Sequence, residues 1–262
     1  MKPHRPKGIA LSVAGLDGSG GAGLLADVKV FQAMGSYGMG VASVLTVQNT
    51  KGLLASLPVD PATLTAQLEA IFSDSTVGAM KVGALGSAAN VQVVLESVER
   101  YGVTNLVVDP VMKATLGARL LDVDAERLLR RLITRCLIVT ANREELALLS
   151  GMDVTNLEEA MEASRRLGDQ GAGYVLAKGG HMPDDSGEVV DLLWDHQSFH
   201  RFRAPRVPGT TPHGTGCVLS AAITGLLAQG VTVLDACEAA RRYVQLRFSD
   251  MKSSGEGRPV LV

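Results

Sequence analysis

The sequence predicts a three-layer α/β fold: a mostly parallel central sheet, helices on both faces, and an antiparallel hairpin at one edge. Three observations carry that expectation. Strand-like and helix-like segments alternate along the 262 residues, as repeated βα units do. One segment, EVVDLLWDHQSFHRFRAPRV, breaks the rhythm with two strand-like runs close together, the mark of a hairpin. Polar and glycine residues also collect where successive strands end, which is where open parallel sheets bind ligands. No linker or low-complexity tract divides the chain, so one domain is expected over residues 1–262.

Taken in order, GIALSVAG (8–15) reads as a buried first strand. LLADVKVFQAM (24–34) reads as a helix, with Leu24, Leu25, Val28 and Phe31 at helical spacing and Gly35 at the C-cap. VASVLTVQ is the next strand, TLTAQLEAIF a helix and AMKVGAL a strand. VQVVLESVERYG is helical, NLVVDPV extended, AERLLRRLI helical and CLIVTAN extended. The helices REELALLSG and NLEEAMEASRRLGDQG lead into the strand YVLAK. Beyond the hairpin, one helix starts near Gly216, Gly230 follows it, and VLDACEAARRYVQLRF forms the last.

Composition removes several function classes. The net charge is −2, which leaves no electrostatic case for nucleic acid or an anionic membrane. One Trp, four Tyr and five Phe offer little for stacking bases. No apolar run approaches the roughly 18 residues that cross a bilayer. MKPHRPKGIALSVAG has basic residues before an apolar stretch, like a signal peptide, but it runs straight into LDGSGGAG and an amphipathic helix; a first strand accounts for it better. Three cysteines without regular spacing point to a reducing compartment, the cytoplasm.

GSGGAG (18–23) matches the dinucleotide fingerprint and lies between a strand and a helix. That fingerprint also wants an acidic residue about 20 residues on, at the next strand end. Here the strand ends in Val47, Gln48, Asn49 and Thr50. Two readings remain, a tight turn or a loop whose backbone N–H groups wrap a substrate. HGTGC (213–217) says more. Gly214 and Gly216 let backbone N–H groups point into one concavity at a helix start, an anion site worth about 0.3–1 kcal/mol per charge. A thiol there, Cys217, is expected to have a depressed pKa; Cys136 and Cys237 read as inert core residues. In NREE (142–145) Asn142 and Glu145 fit a helix capping box. Beside Asp109 on a neighbouring strand end, Glu145 could instead help hold magnesium through water. His196 and His200 would lie about 13 Å apart on a strand rising roughly 3.3 Å per residue, too far to share zinc. His181 follows LAKGG as a loop residue near a nucleotide or as a structural histidine.

AGLDGSGGAGLLADVKVFQAMGSYG, VLTVQNTKG, MKVGAL, VVDPVM, VTAN with REE, AKGGH and HGTGCVLSAA together resemble, in order and spacing, the hydroxymethylpyrimidine and phosphomethylpyrimidine kinases of the ribokinase superfamily. The resemblance implies a ribokinase-like fold and an enzyme using ATP and Mg2+. Such an enzyme phosphorylates 4-amino-5-hydroxymethyl-2-methylpyrimidine and then its monophosphate, in thiamine biosynthesis, and is a homodimer. It implies that residues 214–217 cradle the moving phosphoryl group and that Cys217 accepts the hydroxyl proton. Gln48 then pairs with the aminopyrimidine edge, as Gln pairs with adenine, worth about 1–3 kcal/mol of discrimination. Gly15, Asp27, Ala84 and Val111 would line the pyrimidine pocket. Lys178, Thr215, Gly214, Gly216, Asp109 and Asn142 would meet the nucleotide, with Asp109 and Glu145 near magnesium.

The chain departs from the family pattern at three places. Ala84 stands where KxGM has methionine, residues 112–117 read MKATLG in place of MVAKSG, and Thr140–Ala141–Asn142 replaces TPN. The second change leaves the family lysine's role unassigned between Lys113 and Thr115. A pyridoxal kinase of the same subfamily, and a pyrimidine-binding relative without catalysis, are the rival readings.

Overall fold

The chain is described from a computed structural model, which covers residues 6–112, 125–181, 187–209, 212–253 and 255–262. The first apolar run becomes β1 (Ile9–Leu16), buried on both faces. From β1 the chain passes through α1 (Gly23–Ala33) to β2 (Tyr37–Asn49), β3 (Gly52–Pro58) and α2 (Pro61–Phe72). It then crosses to the other side of β1 for β4 (Ala79–Val82). α3 (Ala88–Tyr101), β5 (Leu106–Val108), α4 (Ala125–Ile133) and β6 (Ile138–Ala141) follow. Next come α5 (Arg143–Ser150), α6 (Leu157–Asp169) and β7 (Tyr174–Ala177). β8 (Glu188–Trp194) and β9 (Phe199–Pro205) make the expected hairpin, before α7 (Thr215–Leu227) and α8 (Val233–Phe248).

The nine strands lie in the order β3-β2-β1-β4-β5-β6-β7-β8-β9. β2, β1, β4, β5, β6 and β7 are parallel, whereas β3, β8 and β9 run antiparallel to their neighbours. Alternation along the strands makes the three layers. Ala10, Ala79 and Val107 pack with α1, α7 and α8 on one face. Leu11, Met80 and Val108 pack with α2 to α6 on the other. Local signals set the helix ends. Asp60 caps α2 by accepting from Thr63 N–H, with Pro61 in the first turn. Left-handed Gly102 and Gly151 stop α3 and α5.

One strand was not expected. GLLASLP forms β3, so the sheet has an antiparallel pair at both edges instead of one. Its link to β2 is only Thr50–Lys51, and the sequence there has neither an Asn-Gly nor a clean alternation to announce a hairpin. Two register shifts also matter for the site: one at Ala14/Gly15 and one at Val47/Gln48. Irregularities of this kind re-aim side chains beside functional clefts.

Candidate active site

Chain order reverses between β1 and β4, and a cleft of about 690 Å³ opens at the carboxyl ends of these strands. That is the switch point where doubly wound sheets bind ligands. One wall carries Gly15 from β1, Thr46 and Gln48 from β2, and Ala84 after β4. At the other end lie Val207, Val244 and Phe248. Between them stands the N-terminus of α7.

Gly214 caps α7 with φ +81, and no side chain hydrogen-bonds the cap. A Cβ at Gly214 would come within 2.0 Å of the Gly21 carbonyl oxygen, so only glycine fits both the torsion and the space. The first-turn N–H groups therefore face the cleft at the positive end of a largely buried helix. Cys217 lies in that turn and, unlike Cys136 and Cys237, is only partly buried. Burial still pushes its thiol up to about 11, against the pull of Lys81 and the Gly23 N–H. The expectation of a depressed pKa is therefore corrected: protein atoms around the sulfur outweigh the helix end.

Two charged clusters flank the thiol. Lys81 forms an ion pair with Asp27 beneath the cleft, and both side chains are 0% exposed. Ser12 Oγ donates to Asp27 at 2.6 Å, and Lys81 Nζ reaches the Cys217 carbonyl at 3.3 Å. Burial alone would lower the Lys81 ammonium, but Asp27, Cys217 and Asp109 hold it above its usual value. Burial raises Asp27 in spite of Lys81 and Ser12. In the second cluster Lys178 Nζ donates to Asp109 at 2.9 Å and lies 3.4 Å from Glu145. Ser220 Oγ donates to the other Asp109 oxygen at 3.0 Å. Burial would raise Asp109, yet Lys178 and Lys81 hold it below the usual carboxylate range. Glu145 is raised by burial and by Asp109 despite Lys178. Asn142 and Glu145 also form the anticipated capping box of α5, at 3.0 and 2.7 Å.

A third group joins distant parts of the chain. His213 Nε2 lies 3.0 Å from Asp17 Oδ2 and 2.9 Å from the Gln48 side-chain amide. Asp17 accepts as well from Ser19 N–H, Ser19 Oγ and Ala22 N–H, which folds the 18–23 loop into a turn leading to α1. Glycines serve backbone geometry there: a Cβ on Gly23 would sit 2.2 Å from the Gly15 carbonyl. β2, moreover, runs on into an antiparallel hairpin, which removes the dinucleotide reading.

With this geometry in hand, the profile of the phosphomethylpyrimidine kinase family matches residues 17–260. The chain belongs to that family. As a phosphomethylpyrimidine kinase family member it is a phosphotransferase. It is 40% identical over 254 residues to the hydroxymethylpyrimidine/phosphomethylpyrimidine kinase of Rhizobium meliloti, covering 95% of this chain and 94% of that one. It is 41% identical over 253 residues to a thiamine biosynthesis bifunctional protein of Geobacter sulfurreducens, covering 96% of this chain and 51% of that one. The chain thus spans about half of the bifunctional relative. Among solved structures, a Bacillus subtilis pyridoxal kinase in complex with ADP superposes with TM-score 0.88 at 30% identity, covering 97% and 96% of the two chains. The phosphomethylpyrimidine kinase of Clostridium difficile superposes with TM-score 0.81 at 34% identity, covering 92% and 99%. These neighbours share the ribokinase-like fold of this kinase family member.

The residues singled out from sequence converge on this one cleft, with one displacement. Gly15, Gln48, Ala84 and Val111 line one part of it. Asp109, Asn142, Glu145 and Lys178 line another, next to the α7 turn that carries Gly214, Thr215, Gly216 and Cys217. Asp27 lies behind the wall, fully buried under Lys81, so it reaches the cleft only through that lysine. Met112 lines the cleft, while residues 113–117, with Lys113 and Thr115, lie outside the described residues. His196 Nε2 donates to the Ala172 carbonyl, His200 pairs with Asp195, and the two share nothing. Sequence reasoning gave no role to Lys81, visible only as a cation inside an apolar strand, or to His213, hidden in the cap motif.

Proposed function

We propose that this chain transfers the terminal phosphoryl group of ATP to the hydroxymethyl oxygen of 4-amino-5-hydroxymethyl-2-methylpyrimidine, and then phosphorylates the monophosphate. A single kinase domain over residues 1–262 would carry both steps of thiamine biosynthesis. The observation that carries the reading is the open N-terminus of α7, with Cys217 in its first turn, facing the same cleft as Gln48. Gln48 reads the aminopyrimidine edge, Gly15 leaves room for the ring, and Ala84 and Val111 form its apolar surroundings. The first-turn N–H groups and Lys178 receive the phosphates, whose charge they offset where it builds up during transfer. The Val207–Val244–Phe248 part of the cleft offers an apolar surface for the nucleotide base, and the Bacillus subtilis neighbour is known in complex with ADP. Cys217, as thiolate, takes the hydroxyl proton.

Magnesium suits the donors present. Asp109 and Glu145 offer only oxygens, and among the described residues no group of three or more His, Cys, Asp or Glu forms a closed cage. Mg2+ keeps several waters and takes one or two carboxylates plus substrate phosphates. When bound it would neutralise charge on the phosphates beside these two carboxylates.

Mass spectrometry after incubation with the pyrimidine alcohol and MgATP is expected to show successive gains of two phosphoryl groups. Pyridoxal in a parallel reaction should turn over more slowly; a preference for pyridoxal reverses the assignment. Three free thiols support a reducing, cytoplasmic setting. Among the described residues no helix is long and apolar enough to cross a membrane. A second copy of the chain fits the outer face of β2–β3, where Leu45 pairs with Leu57 and Val47 with Ala55, and Leu54 is 74% exposed. Sedimentation at twice the chain mass is expected; a monomer at micromolar concentration excludes the dimer.

A further inference from the structure

One ring nitrogen of His213 serves two neighbours, and only one proton arrangement satisfies both. Asp17 Oδ2 and Oδ1 together accept from Ser19 N–H, Ser19 Oγ and Ala22 N–H, in addition to facing His213 Nε2. A carboxylate so surrounded by donors is ionised and can only accept. Its pKa lies below the usual carboxylate range: burial would raise it, but His213 and Ser19 more than offset that. His213 Nε2, 3.0 Å away, therefore carries a hydrogen. A protonated ring nitrogen cannot accept from an amide NH2. The Gln48 atom 2.9 Å from it must then be the carboxamide oxygen, which shares the single Nε2 hydrogen with Asp17 Oδ2 in a three-centre bond, with the amide nitrogen turned to the other side. Oxygen and nitrogen of an amide are interchangeable in shape, so their placement follows from the hydrogen-bond partners.

We infer that His213, anchored by Asp17, fixes the order in which Gln48 presents its carboxamide oxygen and NH2 to the cleft, and that this order makes the site accept a 4-aminopyrimidine and refuse its 4-oxo counterpart. The inference rests on the pyrimidine reading above and deepens it. A 4-aminopyrimidine offers an N–H donor beside a ring-nitrogen acceptor. The 4-oxo ring, which carries its hydrogen on N3, offers the same two sites with the roles exchanged. An amide free to rotate by half a turn about its last bond would match either. His213 removes that freedom. It is itself held firmly: its backbone N–H donates to the Pro259 carbonyl at 2.9 Å, it precedes the α7 cap, and its side chain is 15% exposed. His213 is thus a positioning residue, acting on the substrate through Gln48.

The test compares kcat/KM for the 4-amino alcohol and for 5-hydroxymethyl-2-methylpyrimidin-4(3H)-one, in the parental protein and in His213→Phe. The amino-to-oxo ratio is expected to fall about tenfold or more in the variant, through a loss on the amine and a gain on the oxo ring. Because both constants come from one preparation, the ratio does not depend on the fraction folded. An unchanged ratio, or an equal loss on both substrates, overturns the inference. Should the variant turn over neither substrate, 15N NMR of the parental histidines decides: Nε2 of His213 must carry hydrogen at neutral pH, and a bare nitrogen there sinks the idea. Failure of the pyrimidine reading looks different, since the parental protein would then phosphorylate neither ring.

Discussion

Replacing Cys217 by alanine is expected to lower turnover by about 10²–10⁴-fold, the usual contribution of a positioned base, with pyrimidine binding intact. The sulfur stands in the first turn of α7, where the Gly23 N–H and the Lys81 ammonium favour its charged form. None of the groups assigned to hold the ring, Gln48 above all, depends on it. Removing one small side chain from a partly open position also leaves the fold largely undisturbed. The pH dependence provides an independent check. The thiol must lose its proton to act as a base, and burial places that loss at about 11. The reactive fraction then grows about tenfold per pH unit at all pH values well below that. Turnover should accordingly rise with pH from about pH 6 to about pH 9 without levelling off, and the rise should vanish in the alanine variant. An alanine variant that works at the parental rate removes Cys217 from the chemistry. A parental protein that binds pyrimidine and never phosphorylates it supports the non-catalytic rival instead.

Much of this arrangement could be read from the chain, and the exceptions have physical causes. The inner parallel strands announce themselves because burial on both faces demands continuous apolar runs, as in IALSVAGL. The convergence of Gln48, Lys178 and Cys217 on one cleft follows once those strands are parallel, since parallel strands deliver all their ends to one side. β3 escaped notice because no residue of it is buried and Leu54 and Leu57 stay exposed, so no alternating pattern marks it, and it gains its place by pairing with a β2 that outruns the rest of the sheet. His213 could not be assigned because its partners, Gln48 and Asp17, are 165 and 196 positions away. The thiol went the wrong way for a related reason. A helix start is a local feature, but the burial that raises Cys217 arises only once the chain has folded around it, and it outweighs the pull of Lys81 and the Gly23 N–H.

The ion pair under the cleft gives the largest effect expected on stability. Lys81→Met should destabilise the protein by about 3–5 kcal/mol, because it strands the Asp27 carboxylate where water cannot reach it. Urea unfolding would read this as a lower midpoint at unchanged slope. The deficit should also depend on pH in a definite direction. Burial raises Asp27 even with its partner present, and without Lys81 that rise must grow. A carboxyl whose folded pKa exceeds its unfolded one favours folding below the unfolded value and loses that contribution as pH rises through the folded value. The variant's handicap should therefore shrink as pH falls toward the ordinary carboxylate range. Adding Asp27→Asn removes the stranded charge at nearly constant shape, keeps a partner for Ser12, and should recover most of the lost stability. Turnover should not recover with it, because the cation that favours the Cys217 thiolate is still missing. If the double variant regains both, Lys81 serves the fold alone; if Lys81→Met unfolds at the parental urea concentration, the two charges are not paired in a dry interior.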